Sequence, residues 1–267
     1  MKKVTVLIPT YNRLTALTAV LTSLLYQTYK DFNIYVSDQS EKFDLKKEGE
    51  IQALKRIFAT KFIDLKIFKN SPCLGMAHQR ACLFEKSKTK YTLFLDDDLI
   101  LESFVLEGMV SAIEEENCGF VGRAVIGLSY KEDARPSQQR MEFWEGKVEP
   151  EKIAPGGKKW QRFVLHNAAN IYHLEEKLKI RWPNQKKYKI AWVGGCTLFD
   201  TQKLKSVGGF DFWQDLPKRH SGEDVLAQLR VMKKYGGCGL IPSGVYHLEL
   251  NTTIPERVVN APEVLKI

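Results

Sequence analysis

Asp96-Asp97-Asp98 follows directly on the apolar run Tyr91-Thr-Leu-Phe-Leu95. Three adjacent carboxylates repel one another strongly unless a cation shares them, so the economical reading is a divalent metal site. All-oxygen ligands with few side chains favour magnesium or manganese, with phosphate oxygens and waters completing the octahedron. The plainer reading is a solvated loop whose aspartate caps the next helix, and the apolar strand immediately upstream weighs against it. A second acidic pair, Glu223-Asp224, follows Gly222 and opens a helical pattern that runs to Tyr235. Carboxylates are common at helix starts on electrostatic grounds alone; they are also the groups that general base catalysis uses.

The elements around these residues set where they lie. Lys3-Val-Thr-Val-Leu-Ile-Pro9, Phe32 to Ser37, Phe62 to Phe68 and Tyr91 to Leu95 read as strands. Helical apolar spacing separates them: Leu14 to Leu25, Ile51 to Phe58, and Gly75 to Lys86. Such alternation predicts a parallel sheet with helices on both faces, joined by right-handed crossovers. In such sheets ligands bind beyond the carboxyl ends of the strands, where helix N-termini favour anions. Polar residues collect there: Pro9-Thr10-Tyr11-Asn12 after the first strand, Asp38-Gln39-Ser40 after the second and Asp96-Asp97-Asp98 after the fourth. A helix near Phe104 to Glu115 and a strand near Phe120 to Ile126 follow. The pattern then dissolves from Gly127 to Lys189, which holds Trp144, Trp160 and Trp182. Regular structure is expected again from Ile190-Ala-Trp-Val193 through Cys196-Thr-Leu-Phe199, then a short helix and the helix from Glu223.

The 267 residues, 44% hydrophobic and 27% charged, exclude a disordered tail protein, a collagen-like repeat and a disulfide-stapled miniprotein. Five cysteines without CxxC spacing read as free thiols in a reducing compartment. No stretch approaches the roughly 18 uninterrupted apolar residues of a membrane span, so a cytoplasmic protein is expected. The net charge of +8 is scattered rather than clustered and predicts a solvated basic surface. No recognition helix or aromatic-basic interleaving supports nucleic-acid binding.

In order and spacing the chain resembles the family 2 glycosyltransferases of the GT-A fold. Val6-Leu-Ile-Pro-Thr-Tyr-Asn12 is similar to that family's opening signature, Asp38 to its nucleobase-binding aspartate and Asp96-Asp97-Asp98 to its DxD motif. Gly75-Met-Ala-His-Gln-Arg80 resembles the segment before the DxD strand, and Val193 to Phe199 with Val207 to Asp211 the acceptor-side strand and turn. Gly222-Glu-Asp224 resembles the catalytic segment. The resemblance implies an α/β fold with a mostly parallel central sheet flanked by helices. It also implies metal-dependent transfer of a sugar from a nucleoside-diphosphate sugar to an acceptor hydroxyl with inversion, in polysaccharide or glycoconjugate synthesis. Residues 1–126 would be the nucleotide-sugar half, 127–189 an irregular insertion on the acceptor side, and 190–267 the half carrying the acceptor and the base.

The resemblance also implies roles. Pro9, Thr10, Tyr11, Asp38, Arg80, Asp96 and Asp97 would bind the donor. Asp38 would accept from an imide N–H such as uracil's, favouring a UDP-sugar, and Arg80 would pair with Asp38 or the nucleotide. Asp98 would hold manganese or magnesium, joined by His247 if that histidine is a ligand rather than structural. Asp224 would be the base, with Glu223 as fallback; Gly195, Trp213 and His220 would meet the acceptor, a saccharide or lipid-linked molecule. A lipid-linked acceptor allows peripheral contact with the inner face of a membrane. The competing readings are a sugar nucleotidyltransferase, against which Pro9-Thr-Tyr-Asn-Arg13 speaks because no glycine-rich phosphate loop stands there, and a non-catalytic nucleotide-sugar-binding module.

Overall fold

The computed structural model of the chain describes residues 2–253 and 255–267. β1 (Val4–Thr10) is buried along its length: Val4, Val6 and Ile8 enter one core and Leu7 the other. A strand covered on both faces is hydrophobic almost continuously rather than alternately. α1 (Leu14–Leu25) buries Leu17, Val20, Leu21 and Leu24 on one side. β2 (Phe32–Asp38), α2 (Gly49–Thr60), β3 (Leu65–Lys69), α3 (Met76–Lys86) and β4 (Tyr91–Leu95) follow. β1 lies parallel to β2 and β4, and β2 to β3. The polar residues that end β1, β2 and β4 therefore share one edge of the sheet.

The chain continues through β5 (Leu99–Leu101), α4 (Val105–Glu116) and β6 (Phe120–Gly122). The strand expected to reach Ile126 stops at Gly122, where Arg123 turns inward and donates to the Pro242 and Ser243 carbonyls and the Gln185 side chain. Ile126 keeps only an isolated bridge to Tyr246. Residues 127–189 hold short 3₁₀ turns, α5 (Asn170–Leu178) and β7 (Lys186–Tyr188). The rest comprises β8 (Cys196–Asp200), α6 (Thr201–Lys205), β9 (His220–Ser221), α7 (Glu223–Tyr235), β10 (Gly237–Ile241), β11 (Val245–His247), β12 (Val259–Asn260) and α8 (Ala261–Val264).

Among the described residues, eight strands form the main sheet in the order β3-β2-β1-β4-β8-β6-β10-β7. β8 is antiparallel to β4 and β6, and β7 to β10; the remaining pairs are parallel. α1, α2 and α4 cover one face, and α3, α5 and α7 the other. This is the mostly parallel α/β sheet flanked by helices that the sequence predicts. Two small sheets finish the functional edge, β5 with β11 and β9 with β12.

Two further expectations for individual elements need correction. The strand expected from Phe62 starts at Leu65, because the N–H groups of Phe62 and Ile63 close the end of α2. Ile190, Ala191 and Val193 are buried, but the segment forms no strand. The Gln228 side chain accepts from the Val193 N–H and donates to its carbonyl, both at 2.8 Å, and so replaces a strand neighbour. An apolar run reports burial, not hydrogen-bond pattern. β10 is interrupted by glycines. A Cβ at Gly239 would lie 2.3 Å from the Tyr188 ring, so the strand needs glycine for close approach.

Candidate active site

The ends of β1 and β4, the start of α7 and β11 enclose a groove of about 350 Å³. Asp96, Asp97, Asp98, Glu223, Asp224 and His247 all line it, with Pro9, Thr10, Tyr11, Arg80, Gly195 and His220. Asp97 is buried and accepts from Thr10 Oγ1 at 2.6 Å and from Arg13 at 3.1 Å. Burial pushes its carboxyl up to about 6 against the pull of Thr10 and Arg13. Asp98 Oδ2 accepts from Arg13 at 2.7 Å and faces His247 Nε2 at 3.4 Å. Burial acts against ionising Asp98, but His247 and Arg13 outweigh it and hold the carboxyl below its ordinary range. The hydrogen bond to Asp98 in turn raises His247. This proximity follows from register: His247 of β11 is opposite Leu99 of β5, and Leu248 N–H donates to the Asp98 carbonyl at 2.9 Å.

Asp96 is the most open of the three aspartates. Its N–H donates to Gly195 O at 2.9 Å, and its Oδ1 accepts from Arg80 at 3.0 Å. Gly195 has φ +76°, and a Cβ there would fall 2.7 Å from Val125 Cγ2, so the turn beside Asp96 requires glycine. Arg80 is buried, and its Nε donates to Glu223 Oε1 at 3.1 Å. Burial opposes its charge, but Asp96, Glu223 and Asp224 more than compensate and raise it further. The expected pairing of Arg80 with Asp38 is not made: Arg80 pairs with Asp96 and Glu223, and Asp38 with Ser40 N–H and Lys69. Asp224 makes no ion pair of its own among the described residues, and burial followed by the charge of Glu223 pushes it up, with Arg80 pulling the other way.

Beside the groove lies a second pocket of about 420 Å³, sharing Tyr11, Met76, Gln79 and Thr253 with it. Asn12, at φ +55°, uses a conformation that asparagine tolerates. Its Oδ1 accepts from the N–H groups of Glu41 and Lys42, which joins the turn after β1 to the loop after β2. Gln79 Nε2 ties the same strand ends, donating to the carbonyls of Thr10 and Ser37. Asp38 stands at this edge but lines neither cavity: it is buried, accepting from Ser40 N–H at 2.8 Å and Lys69 at 3.2 Å. Its neighbour Gln39 lines the second pocket, and Gln39 Nε2 is buried without a partner among the described residues.

Two residues expected to meet an acceptor are otherwise engaged. His220 accepts from Ala77 N–H through Nε2 at 3.0 Å, and Nδ1 lies 2.7 Å from the Pro217 carbonyl, so both nitrogens are used in holding the start of α3. Trp213 packs on His78 with ring centroids 4.5 Å apart and does not line the groove. The insertion tryptophans are likewise packed: Trp182 stacks on Phe104, and Trp160 meets Phe163 and Trp192. No residue of 127–189 lines the groove among the described residues. The sequence reading gave no role to Arg13, Gln79 or Arg257, all of which line it. Arg13 and Gln79 lie inside or beside the quoted motifs, and their position next to an acidic strand end was the available signal.

A family model described as Glycosyl transferase family 2 matches residues 5–178. The UDP-Glc:alpha-D-GlcNAc-diphosphoundecaprenol beta-1,3-glucosyltransferase WfaP of Escherichia coli is 28% identical over 120 residues, 45% of each chain. The structure of S. aureus TarS 1-349 in complex with UDP-GlcNAc aligns with a TM-score of 0.54 at 18% identity, covering 99% of this chain and 62% of that one. The mannosyltransferase PcManGT from Pyrobaculum calidifontis, in complex with GDP-Man and Mn2+, aligns with a TM-score of 0.58 at 16% identity, covering 95% of this chain and 59% of that one. The matches span less than two thirds of each of these proteins. At such identities the likeness to solved structures shows the fold, which is GT-A.

Proposed function

The chain belongs to the family 2 glycosyl transferases, and we propose that it moves a sugar from a UDP-sugar to an acceptor hydroxyl with inversion at the anomeric carbon. The observation that carries this reading is the convergence of Asp96-Asp97-Asp98 and Glu223-Asp224 on one groove. The second pocket, which shares Tyr11 with the groove, is read as the site of the nucleobase, with Gln39 in its lining and the buried Asp38 next to Gln39 in the chain. The N-terminus of α1 behind Thr10 and Tyr11 suits the diphosphate, because its unpaired N–H groups favour an anion. Asp224 takes the proton of the acceptor hydroxyl. Glu223, already held by Arg80, positions that segment rather than serving as base.

The donor set fits a divalent cation shared with substrate. Asp98 and His247 converge within 3.4 Å, while no cluster of three or more His, Cys, Asp or Glu is placed to hold a metal unaided among the described residues. Two protein ligands leave positions for diphosphate oxygens and waters, as manganese and magnesium prefer. When bound, the metal supplies Lewis-acid charge against the leaving diphosphate. The presence of Mn2+ with GDP-Man in the Pyrobaculum relative supports this reading.

The acceptor is read as a saccharide or lipid-linked saccharide in polysaccharide or glycoconjugate synthesis, supported by the lipid-linked acceptor in the name of the Escherichia coli relative. Peripheral work at the cytoplasmic face of a membrane goes with that reading. Among the described residues no helix is long and apolar enough to cross one. The test is thermal stabilisation by UDP-, GDP- and dTDP-sugars with and without manganese. UDP ligands should stabilise the chain in a metal-dependent way, and Asp98→Ala should abolish that dependence. Unchanged metal-dependent stabilisation of the variant would overturn the assignment.

A further inference from the structure

Arg13 stands at the N-cap of α1 without a backbone-capping role for its side chain. The guanidinium, mostly buried, reaches across the groove instead. One terminal nitrogen donates to Asp98 Oδ2 at 2.7 Å and Asp97 Oδ1 at 3.1 Å, and the other to the Asn251 carbonyl at 2.5 Å. The Asp98 oxygen that faces His247 is thus the one that Arg13 holds. A divalent cation on that oxygen would lie within a few ångströms of a guanidinium in a half-enclosed groove, where like charges repel much more strongly than in bulk water.

We propose that Arg13 is a resident counter-cation for the aspartates that ends when nucleotide arrives. It neutralises Asp97 and Asp98 in the empty groove and blocks metal from Asp98. It moves onto the diphosphate when a nucleotide enters, for which its planar fork of donors is suited. Metal binding then becomes conditional on nucleotide, and the two reinforce each other, since coupling between sites is reciprocal. Arg13 is a positioning residue in this account and takes no part in bond making. The inference rests on the metal-and-nucleotide reading above and adds an order of events to it.

Manganese binding, followed by the electron paramagnetic resonance of free Mn2+, tests it without any turnover. Wild-type chain should bind Mn2+ weakly alone and more tightly with UDP. Arg13→Met should bind Mn2+ without UDP more tightly than wild type does, by a factor within the roughly 5- to 150-fold usual for coupled sites, and should gain less from UDP. Arg13→Gln, which keeps donors but loses the charge, should shift in the same direction and guards against misfolding of the first variant. Wild-type affinity for Mn2+ that is the same with and without UDP overturns the inference. So does nucleotide-free affinity unchanged in both variants while UDP still promotes binding in wild type; either outcome leaves the proposed transferase standing. Absence of Mn2+ binding by wild type under every condition overturns the metal reading itself.

Discussion

Arg80 donates through Nε to Glu223 Oε1 at 3.1 Å and through a terminal nitrogen to Asp96 Oδ1 at 3.0 Å. One buried guanidinium of α3 thereby fixes the distance between the aspartates ending β4 and the acidic start of α7. Removing one partner of a buried pair leaves the other charge uncompensated, which costs about 3–5 kcal/mol. Arg80→Met is therefore expected to lower stability by that order, whereas Glu223→Gln, which keeps an acceptor for Nε, should cost less. Chemical denaturation of both variants checks this; equal losses would mean that the charge of Glu223, rather than Asp96, is the main anchor of Arg80.

Asp38 gives the second prediction. If it reads the base, Asp38→Ala should weaken UDP by about 1.5–3 kcal/mol more than inorganic diphosphate, the range for a hydrogen bond to a charged group. Its carboxylate also accepts from Ser40 N–H and Lys69. Equal weakening of the two ligands in calorimetry would show that Asp38 acts by holding the loop after β2.

The third prediction concerns stability far from the groove. Phe62 follows the end of α2 with φ +57°, and the residue is 87% exposed. Ile63 N–H donates to Phe58 O and Phe62 N–H to Ala59 O, the pairing of a helix stop that normally uses glycine. A side chain in that conformation costs about 1–2 kcal/mol. Phe62→Gly should therefore stabilise the chain by roughly 1 kcal/mol, the difference being reduced by glycine's extra freedom when unfolded. A destabilised variant would mean that the exposed ring makes contacts worth more than the strain.

The half of the sheet from β1 to β4 was legible because each strand and helix there carries its own periodic pattern, and strand ends in a parallel sheet must share an edge. The aspartates after Leu95 stood out for the same reason. What was not legible depends on pairing at long range. Arg13 and Asp98 are 85 residues apart, and Gln228 and Val193 are 35 apart, so neither contact leaves a local trace. His220 and Trp213 were expected at the acceptor because their types suit sugars; Trp213 packs on His78 of α3 away from the groove, whereas His220 of β9 lines the groove with its ring nitrogens engaged by Ala77 N–H and the Pro217 carbonyl.

Asp224 provides the last prediction, which joins catalysis to stability. Burial and the neighbouring Glu223 raise its carboxyl to about 7, so the base form accumulates only near neutrality. If Asp224 is the base, kcat/KM should rise with pH through that range rather than level off near pH 5. Asp224→Asn should remove the limb and lower turnover by about 10²–10⁴ while leaving UDP affinity nearly unchanged. The same shift fixes the sign of a stability effect. Between the ordinary aspartate value of about 4 and the folded value, the native state binds more protons than the unfolded chain, so stability falls as pH rises across that window. The penalty is complete above the folded value and absent well below the unfolded one. Asp224→Asn, which carries no charge, should therefore melt higher than wild type at pH 8 and close to it at pH 4. A variant that loses activity without gaining stability at pH 8 would show that Asp224 is not held against its own ionisation. One that retains near-normal transfer would remove it from the mechanism and leave Glu223 as the candidate base.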